Sequence, residues 1–349
     1  MDIPSDLLNQ VRDGRVVLFL GAGASVDSST HDGRRCLSTK GLSQSLSDKF
    51  LGGYLRDGQL SQVADYAISE TDLGRVQLFI RELFLPLRPT AGHLFLPQFV
   101  WHGLATTNYD LLIETAYAET KERLQELRPM IEDRDRVDDN LRDPRNLLLL
   151  KLHGCITRIS NEECPLILTP DQYLEYRLGR SRLFNTLREW GAEHIIVFVG
   201  HSVQDSDIRA VLLELKELGG YRPRYFIVAP DVDELKSRFW ETKKITLLRG
   251  NFEEFLSTLN GQIPRAFRSL TVASPAANPI ERYFRTNAPL SSSTLQFLNI
   301  DVECVNGISA TEHVDPKEFY KGYMGGFAPI EQELDVRRRL SDMISIEYF

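Results

Sequence analysis

Four stretches of the chain join a short apolar run to polar or small residues that a buried strand does not need. Residues 16–20, VVLFL, run into Gly21-Ala22-Gly23-Ala24-Ser25. Residues 103–107 run into Asn108-Tyr109-Asp110, 146–152 end in His153-Gly154, and 194–199, HIIVFV, run into Gly200-His201-Ser202. Glycines closing a strand let the backbone turn sharply and approach a ligand, and a helix starting there aims free N–H groups at an anion such as a pyrophosphate. A histidine titrating near neutrality is a natural general base. Of the seven histidines, His153 most clearly follows a buried strand and precedes a glycine. Each group also has a plainer role open to it. The glycine run can simply pack a helix on a sheet, Asn108, Asp110 or Ser202 can cap the helix that follows, and His153 can be a satisfied turn residue.

The elements that must position these groups follow from periodicity. The apolar runs at 16–20, 103–107, 146–152, 194–199, 224–229 and 244–248 read as strands buried on both faces, and helical spacing fills the intervals between most of them. Alternation of this kind predicts an α/β fold: a doubly wound, Rossmann-like parallel sheet with helices on both faces. Residues 30–84 lose strand character; helical spacing at 41–50, 60–68 and 74–84 reads as a helical module inserted after the first strand, ended by Pro86 and Pro89. Residues 121–145, dense in Arg, Asp and Glu, read as a solvated excursion. In such a sheet ligands bind outside the carboxyl ends of the strands, so the glycine loop, Asn108, Asp110, His153 and Ser202 are expected to converge on one edge.

Composition narrows the function classes. The chain has 349 residues and a formal net charge of −8, with no basic stripe, which gives no electrostatic reason to expect nucleic acid. No apolar run approaches the roughly 18 residues of a membrane span, and the N-terminus lacks a basic n-region and an apolar h-region, so a cytoplasmic protein is expected. The four cysteines, Cys36, Cys155, Cys164 and Cys304, form no C-x-x-C pair, so no zinc module and no metal site are expected. An ordinary dehydrogenase is disfavoured: Val26 stands where the third fingerprint glycine would be, and no strand with a terminal acid follows within about 20 residues.

The four motifs, in this order and at about this spacing, resemble those of the sirtuins, over roughly residues 16–256. The resemblance implies that NAD lies over Gly21, Ala22, Gly23 and Ser25. It implies that Asn108 positions the nicotinamide ribose and an attacking water, that Asp110 meets the carboxamide, that His153 is the general base, and that Gly200 and Ser202 hold the adenosine ribose. Protein-deacetylating sirtuins carry two C-x-x-C pairs and a Gly-Ile-Pro-Asp-Phe-Arg run after the glycine loop; this chain has neither. The pattern is similar to the divergent sirtuin-like domains of bacterial anti-phage defence proteins, which hydrolyse NAD. That likeness implies an NAD glycohydrolase active as an abortive-infection effector, with NAD as substrate and no zinc. Binding of NAD or ADP-ribose without turnover, and sirtuin-type ADP-ribosyl transfer or deacetylation, remain open.

The expected organisation is an NAD-binding and hydrolysing domain over 1–262, with its helical insertion at about 30–90, then a linker and C-terminal extension over 263–349. Residues 316–340 resemble the region joining such a domain to a signal-transducing P-loop ATPase. No P-loop occurs in the chain, which reads as the N-terminal part of a longer polypeptide. Assembly into a homo-oligomer and control by an attached ATPase domain or a phage-derived trigger are further expectations.

Overall fold

A computed structural model describes residues 1–135, 145–161, 164–175, 177–201, 203, 206–216, 222–265 and 268. In chain order the elements are α1 (Ser5–Arg12), β1 (Val16–Leu20), α2 (Ala22–Ser25), α3 (Thr39–Phe50), α4 (Leu60–Glu70), α5 (Leu73–Phe84), α6 (Ala91–Phe95), β2 (Gly103–Thr106) and α7 (Leu112–Glu119). There follow β3 (Glu126–Met130), β4 (Asn146–Lys151), α8 (Pro170–Leu174), α9 (Ser181–Glu193), β5 (Ile195–Val199), α10 (Ser206–Lys216), β6 (Tyr225–Ala229), α11 (Glu234–Glu241), β7 (Ile245–Arg249) and α12 (Phe252–Gln262). The linker and extension expected over 263–349 lie almost wholly outside the described residues.

The seven strands form one sheet in the order β3-β4-β2-β1-β5-β6-β7, and every pairing is parallel. This is the doubly wound α/β architecture expected from the alternation of strands and helices. β1 is central, and all five of its residues are buried. Its alternate side chains serve two cores. Val16, Leu18 and Leu20 pack in one cluster with Leu7, Ile113 and Phe255 from α1, α7 and α12; Val17 and Phe19 pack in the other with Leu183 and Leu187 of α9 and Val211 of α10. A strand covered on both faces needs apolar residues at every position, which is why VVLFL has no alternation. After β1 the chain winds toward β2 and β4; after β5 it winds the other way, toward β6 and β7. The switch point of the sheet therefore falls between β1 and β5.

Two elements depart from the sequence expectation. The stretch read as a solvated excursion contains β3, paired residue for residue with β4 from Glu126 beside Asn146 to Met130 beside Leu150. An edge strand buries little: only Met130 of β3 is buried, and Pro129, which has no N–H to donate, is tolerated at an edge. The charged composition therefore masked the strand. α12 was not anticipated either. Asn251 caps it, accepting from Glu254 N–H while the Glu254 carboxylate accepts from Asn251 N–H, and Phe252, Phe255, Leu256 and Leu259 are buried.

The helical module is present as expected. Ser38 caps α3 and Asp72 caps α5, each accepting a backbone N–H of the first turn. Leu42, Leu46, Val63, Ala64 and Ile80 of α3, α4 and α5 share a cluster with Ile156, Leu166 and Leu168 from the segment after β4. Gln77 of α5 fastens the same junction: its Nε2 donates to the Ile159 carbonyl at 3.0 Å and its Oε1 accepts from Leu166 N–H at 2.8 Å. The module is thereby anchored to the chain that follows His153.

Two histidines of the scaffold make stability depend on pH. Burial holds His93 of α6 at about 4 against the partly opposing pull of Asp110. His102, stacked on His194 with ring centroids 3.5 Å apart, is lowered as well, by the partial desolvation of its ring in that stack and by its neighbour's charge, but it is an exposed residue and contributes less than His93. An unfolded histidine takes up its proton near 6.5, so between about 6.5 and 4 the unfolded chain binds more protons and stability falls as pH falls. For His93 the loss reaches on the order of 3 kcal/mol by pH 4. Thermal midpoints recorded from pH 7.5 to 4 should decline across that window, and His93→Gln should flatten the decline; an unchanged slope would contradict it.

Candidate active site

Register brings the strand ends together. Leu20 at the end of β1 pairs with Thr106 of β2 on one side and Val199 of β5 on the other, and Thr106 pairs with Lys151 at the end of β4. The residues that follow these four strands therefore emerge side by side at the carboxyl edge, where they border a cleft of about 360 Å³. Of the residues singled out by sequence, Ala22, Gly23, Ser25, Asn108, Asp110, His153 and Gly200 line it. Gly21 sits behind the lining, in the floor between β1 and β5. Ser202 lies outside the described residues. The opposite wall comes from the helical module: Cys36, Leu37, Ser38, Thr39, Leu42 and Phe84.

The glycines are required by the approach of two backbones. Gly21 N–H donates to the Val199 carbonyl at 3.0 Å and Gly23 N–H to the Gly200 carbonyl at 2.8 Å. A Cβ on Gly21 would come within 2.6 Å of the Gly200 oxygen, and one on Gly23 within 2.8 Å of Gly200 Cα. Gly200 has φ +65°, and a Cβ there would meet the Ala24 nitrogen and lie 2.6 Å from the Gly23 carbonyl carbon. The packing role of small residues is thus realised here. The expectation that a helix after β1 offers an N-terminal row of free N–H groups is not met, because α2 is four residues long and Gly23 and Ala24 already donate to Gly200 and Gly21. The N-terminus of the twelve-residue α3, bordering the cleft through Ser38 and Thr39, is the longer helix start at this site.

A buried polar network joins the loops after β1 and β2. Ser25 Oγ donates to Asp110 Oδ2 at 2.8 Å and accepts from Asn108 Nδ2 at 3.0 Å. Asn108 Nδ2 also donates to the Gly21 carbonyl at 2.9 Å, and Asn108 N–H donates to Thr106 Oγ1, which itself donates to the Leu20 carbonyl. With its amide hydrogens committed to the protein, Asn108 has the acceptor Oδ1 left to offer a ligand. Asp110 is 4% exposed; its second oxygen accepts from Leu112 N–H at 3.1 Å, although the N-cap position of α7 is held by Leu111 and not by Asp110. Its backbone carbonyl accepts from Lys151 Nζ.

His153 is held from several sides. Its carbonyl accepts from Ile167 N–H at 3.0 Å, and the Ile167 carbonyl accepts from the Tyr109 hydroxyl at 2.6 Å, so one residue clasps the loops after β2 and β4. The His153 ring meets Tyr173 of α8 edge to face at 5.3 Å. Gly154, at φ +90°, turns the chain away immediately afterwards.

Several lining residues escaped sequence reasoning. His201 accepts from Val203 N–H through Nδ1 at 2.9 Å and packs edge to face on Phe19. Its signal was legible, since it too follows a buried strand. Tyr173 and Cys36 carried none, because only the module and the post-β4 segment bring them to the cleft. Burial, reinforced by the Asp110 charge, pushes the Cys36 thiol up to about 11. Lys151, which does not itself line the cleft, was also overlooked, inside a run read as buried strand. Among the described lining residues there is no lysine or arginine. Among the described residues no group of three or more His, Cys, Asp or Glu side chains is placed to hold a metal ion, and no helix is long and apolar enough to cross a membrane.

A family model described as a SIR2-like domain matches residues 102–248. The SIR2-like match spans β2 to β7 and contains Asn108, Asp110, His153 and Gly200; it begins after the glycine loop and the helical module. Two solved structures are similar. One is a Sir2 homologue–NAD complex, 16% identical with a TM-score of 0.47, the match covering 76% of this chain and 96% of that one. The other is a triple mutant of Sir2 homologues in complex with 2′-O-acetyl ADP-ribose, 16% identical with a TM-score of 0.41, covering 74% and 95%. No curated protein matches the chain.

The close approach of the β1 and β5 loops is directly testable. Gly200→Ala should cost about 3 kcal/mol, from a left-handed conformation and a clash against backbone that cannot rotate away. Gly261→Ala, in α12 with open space where the Cβ would go, should leave stability unchanged or raise it by up to about 1 kcal/mol. Equal denaturant midpoints for the two variants would contradict the assignment.

Proposed function

We propose that this chain is an NAD glycohydrolase that cleaves NAD to nicotinamide and ADP-ribose. The observation that carries the reading is the convergence of Asn108, Asp110 and His153, from the ends of β2 and β4, on the cleft floored by the loops after β1 and β5. The SIR2-like match over the segment that supplies these three residues supports NAD as the ligand class. The cleft suits such a ligand: an acceptor in Asn108, a buried carboxylate, an imidazole, an apolar wall from the module, and the start of α3 for an anionic group.

In this reading the dinucleotide lies over Gly21, Ala22, Gly23 and Ser25, with Gly200 and Ser202 beside the adenosine ribose. Asp110 holds the carboxamide, and Asn108 Oδ1 accepts a hydrogen bond from the attacking water. The C1′–N1 bond breaks with its electron pair passing to the ring nitrogen of nicotinamide, and the water oxygen bonds to C1′. His153 takes the water's proton. Positioned dipoles that favour positive charge on the ribose lower the barrier at the moment of bond breaking.

Water is the acceptor in this scheme. ADP-ribosyl transfer and lysine deacetylation use the same ribose chemistry with another acceptor, and a sensing domain would bind NAD without turnover. His153→Ala should lower nicotinamide release by roughly 10²–10⁴-fold while leaving the thermal midpoint within a few degrees of the parent. A variant that hydrolyses NAD at the parental rate would overturn the assignment. NAD consumed in step with acetyl groups, from an acetylated peptide, would replace hydrolysis by deacetylation.

Depletion of NAD is lethal to the cell that carries it out, so we further propose an abortive-infection effector of anti-phage defence that works in the cytoplasm and is held inactive until it assembles. The domain over 1–262 would carry the activity, and 263–349 would join it to a further domain such as an ATPase or to a phage-derived trigger. Sedimentation and turnover measured over the same concentration range should rise together; a monomer equally active at every concentration would sink this part of the proposal.

A further inference from the structure

We infer that Lys151 and Glu114 form a positioning pair for the Asn108-Tyr109-Asp110 turn: the buried Lys151 ammonium, tethered by Glu114, holds the Asp110 carbonyl and so sets where the side chains of Asn108 and Asp110 stand in the cleft. This rests on the glycohydrolase reading only for its kinetic consequence.

Lys151 is 1% exposed, a lysine at the end of a strand whose other residues are apolar apart from Asn146. Its Nζ donates to the Asp110 carbonyl and, at 2.8 Å, to Glu114 Oε1 in the first turn of α7. Burial works against the charge, but Glu114, Cys155 and Asp110 outweigh it and hold the amine above its ordinary value, so it is a cation at any physiological pH. The other Glu114 oxygen is buried with no hydrogen-bond partner.

As a source of stability this is a poor arrangement. Two charges lose their hydration, and one carboxylate oxygen receives nothing in return, whereas well-packed apolar residues of similar volume do as well or better. What apolar residues lack is direction. Lys151 sits beside Thr106 in the sheet, and Thr106 Oγ1 accepts Asn108 N–H, so the turn is gripped at both ends: Asn108 through Thr106 and Asp110 through Lys151. Between those grips the side chains of Asn108 and Asp110 meet Ser25. Two residues along the chain from Lys151 stands His153, so β4 supplies the general base of the proposed reaction and the cation that sets its partners.

The test compares the parent, Lys151→Met, and Lys151→Met with Glu114→Gln, using the full chain. The single variant leaves Glu114 without its counter-charge and should melt well below the parent; the double variant removes both charges and should recover most of the midpoint. In the double variant, amide exchange at Asn108 and Leu112 should quicken by at least about 10-fold, while the amides of β1 keep parental rates. Its kcat for nicotinamide release should fall about 10- to 100-fold with KM for NAD within about threefold, as for a group displaced without loss of binding. A double variant with parental exchange at Asn108 and Leu112, or with parental kcat, overturns the inference. If the parent itself releases no nicotinamide, the glycohydrolase reading fails and the exchange rates alone decide the positioning role. If the double variant does not fold, Glu114→Gln must move exchange at Leu112 in the same direction by at least about twofold, and parental exchange there overturns it.

Discussion

The site depends on two backbones meeting at the centre of a parallel sheet. β1 and β5 are neighbours that lead the chain in opposite directions, and the turns that follow them approach until Gly23 N–H reaches the Gly200 carbonyl. Side chains are excluded from both surfaces of that contact. Because the floor is backbone alone, a ligand above it could lie close to the sheet edge, and the polar residues bordering it must come from elsewhere: Ser25 a step further on, Asn108 and Asp110 after β2, His153 after β4. The glycine motif does structural work first, and any binding role is built on top of it.

Burial of the polar groups follows from this geometry. Ser25, Asp110 and His153 are all nearly inaccessible, and a polar group that loses water must find partners or cost stability. The network meets that demand economically. Ser25 both accepts from Asn108 and donates to Asp110; Asp110 also serves Leu112; Ile167 serves both His153 and Tyr109. Groups committed in this way have few orientations left, so their remaining lone pairs point in defined directions. Lys151 belongs to the same logic, since a buried cation is a costly way to fill space and an effective way to fix a carbonyl.

The helical module is a wall with its own foundation. Its core is shared with Ile156, Leu166 and Leu168, and Gln77 bridges to the same segment, so α3, α4 and α5 rest on the chain that leads away from His153. The wall and the imidazole are therefore positioned by one stretch of backbone. Cys36, raised to about 11 and facing the cleft, remains a neutral thiol there and contributes surface, not charge.

The sequence by itself determined the fold class and the part of the lining that follows the strand ends. Runs such as VVLFL and IIVFV have no alternation because both faces of a central strand are covered, so periodicity alone marked them as parallel strands, and the polar residues after them had only one edge to occupy. Tertiary structure decided what local pattern cannot carry. The strand order, and with it the meeting of Gly23 and Gly200, arises from pairing between residues more than 170 positions apart. β3 was hidden because an edge strand needs little apolar surface, and Lys151 because a charge inside a buried run is intelligible only once Glu114 and the Asp110 carbonyl stand beside it. The helices of the module were legible in sequence, but their place as a wall of the cleft and their tie to the segment after β4 were not, because long-range packing chooses which amphipathic face meets which loop.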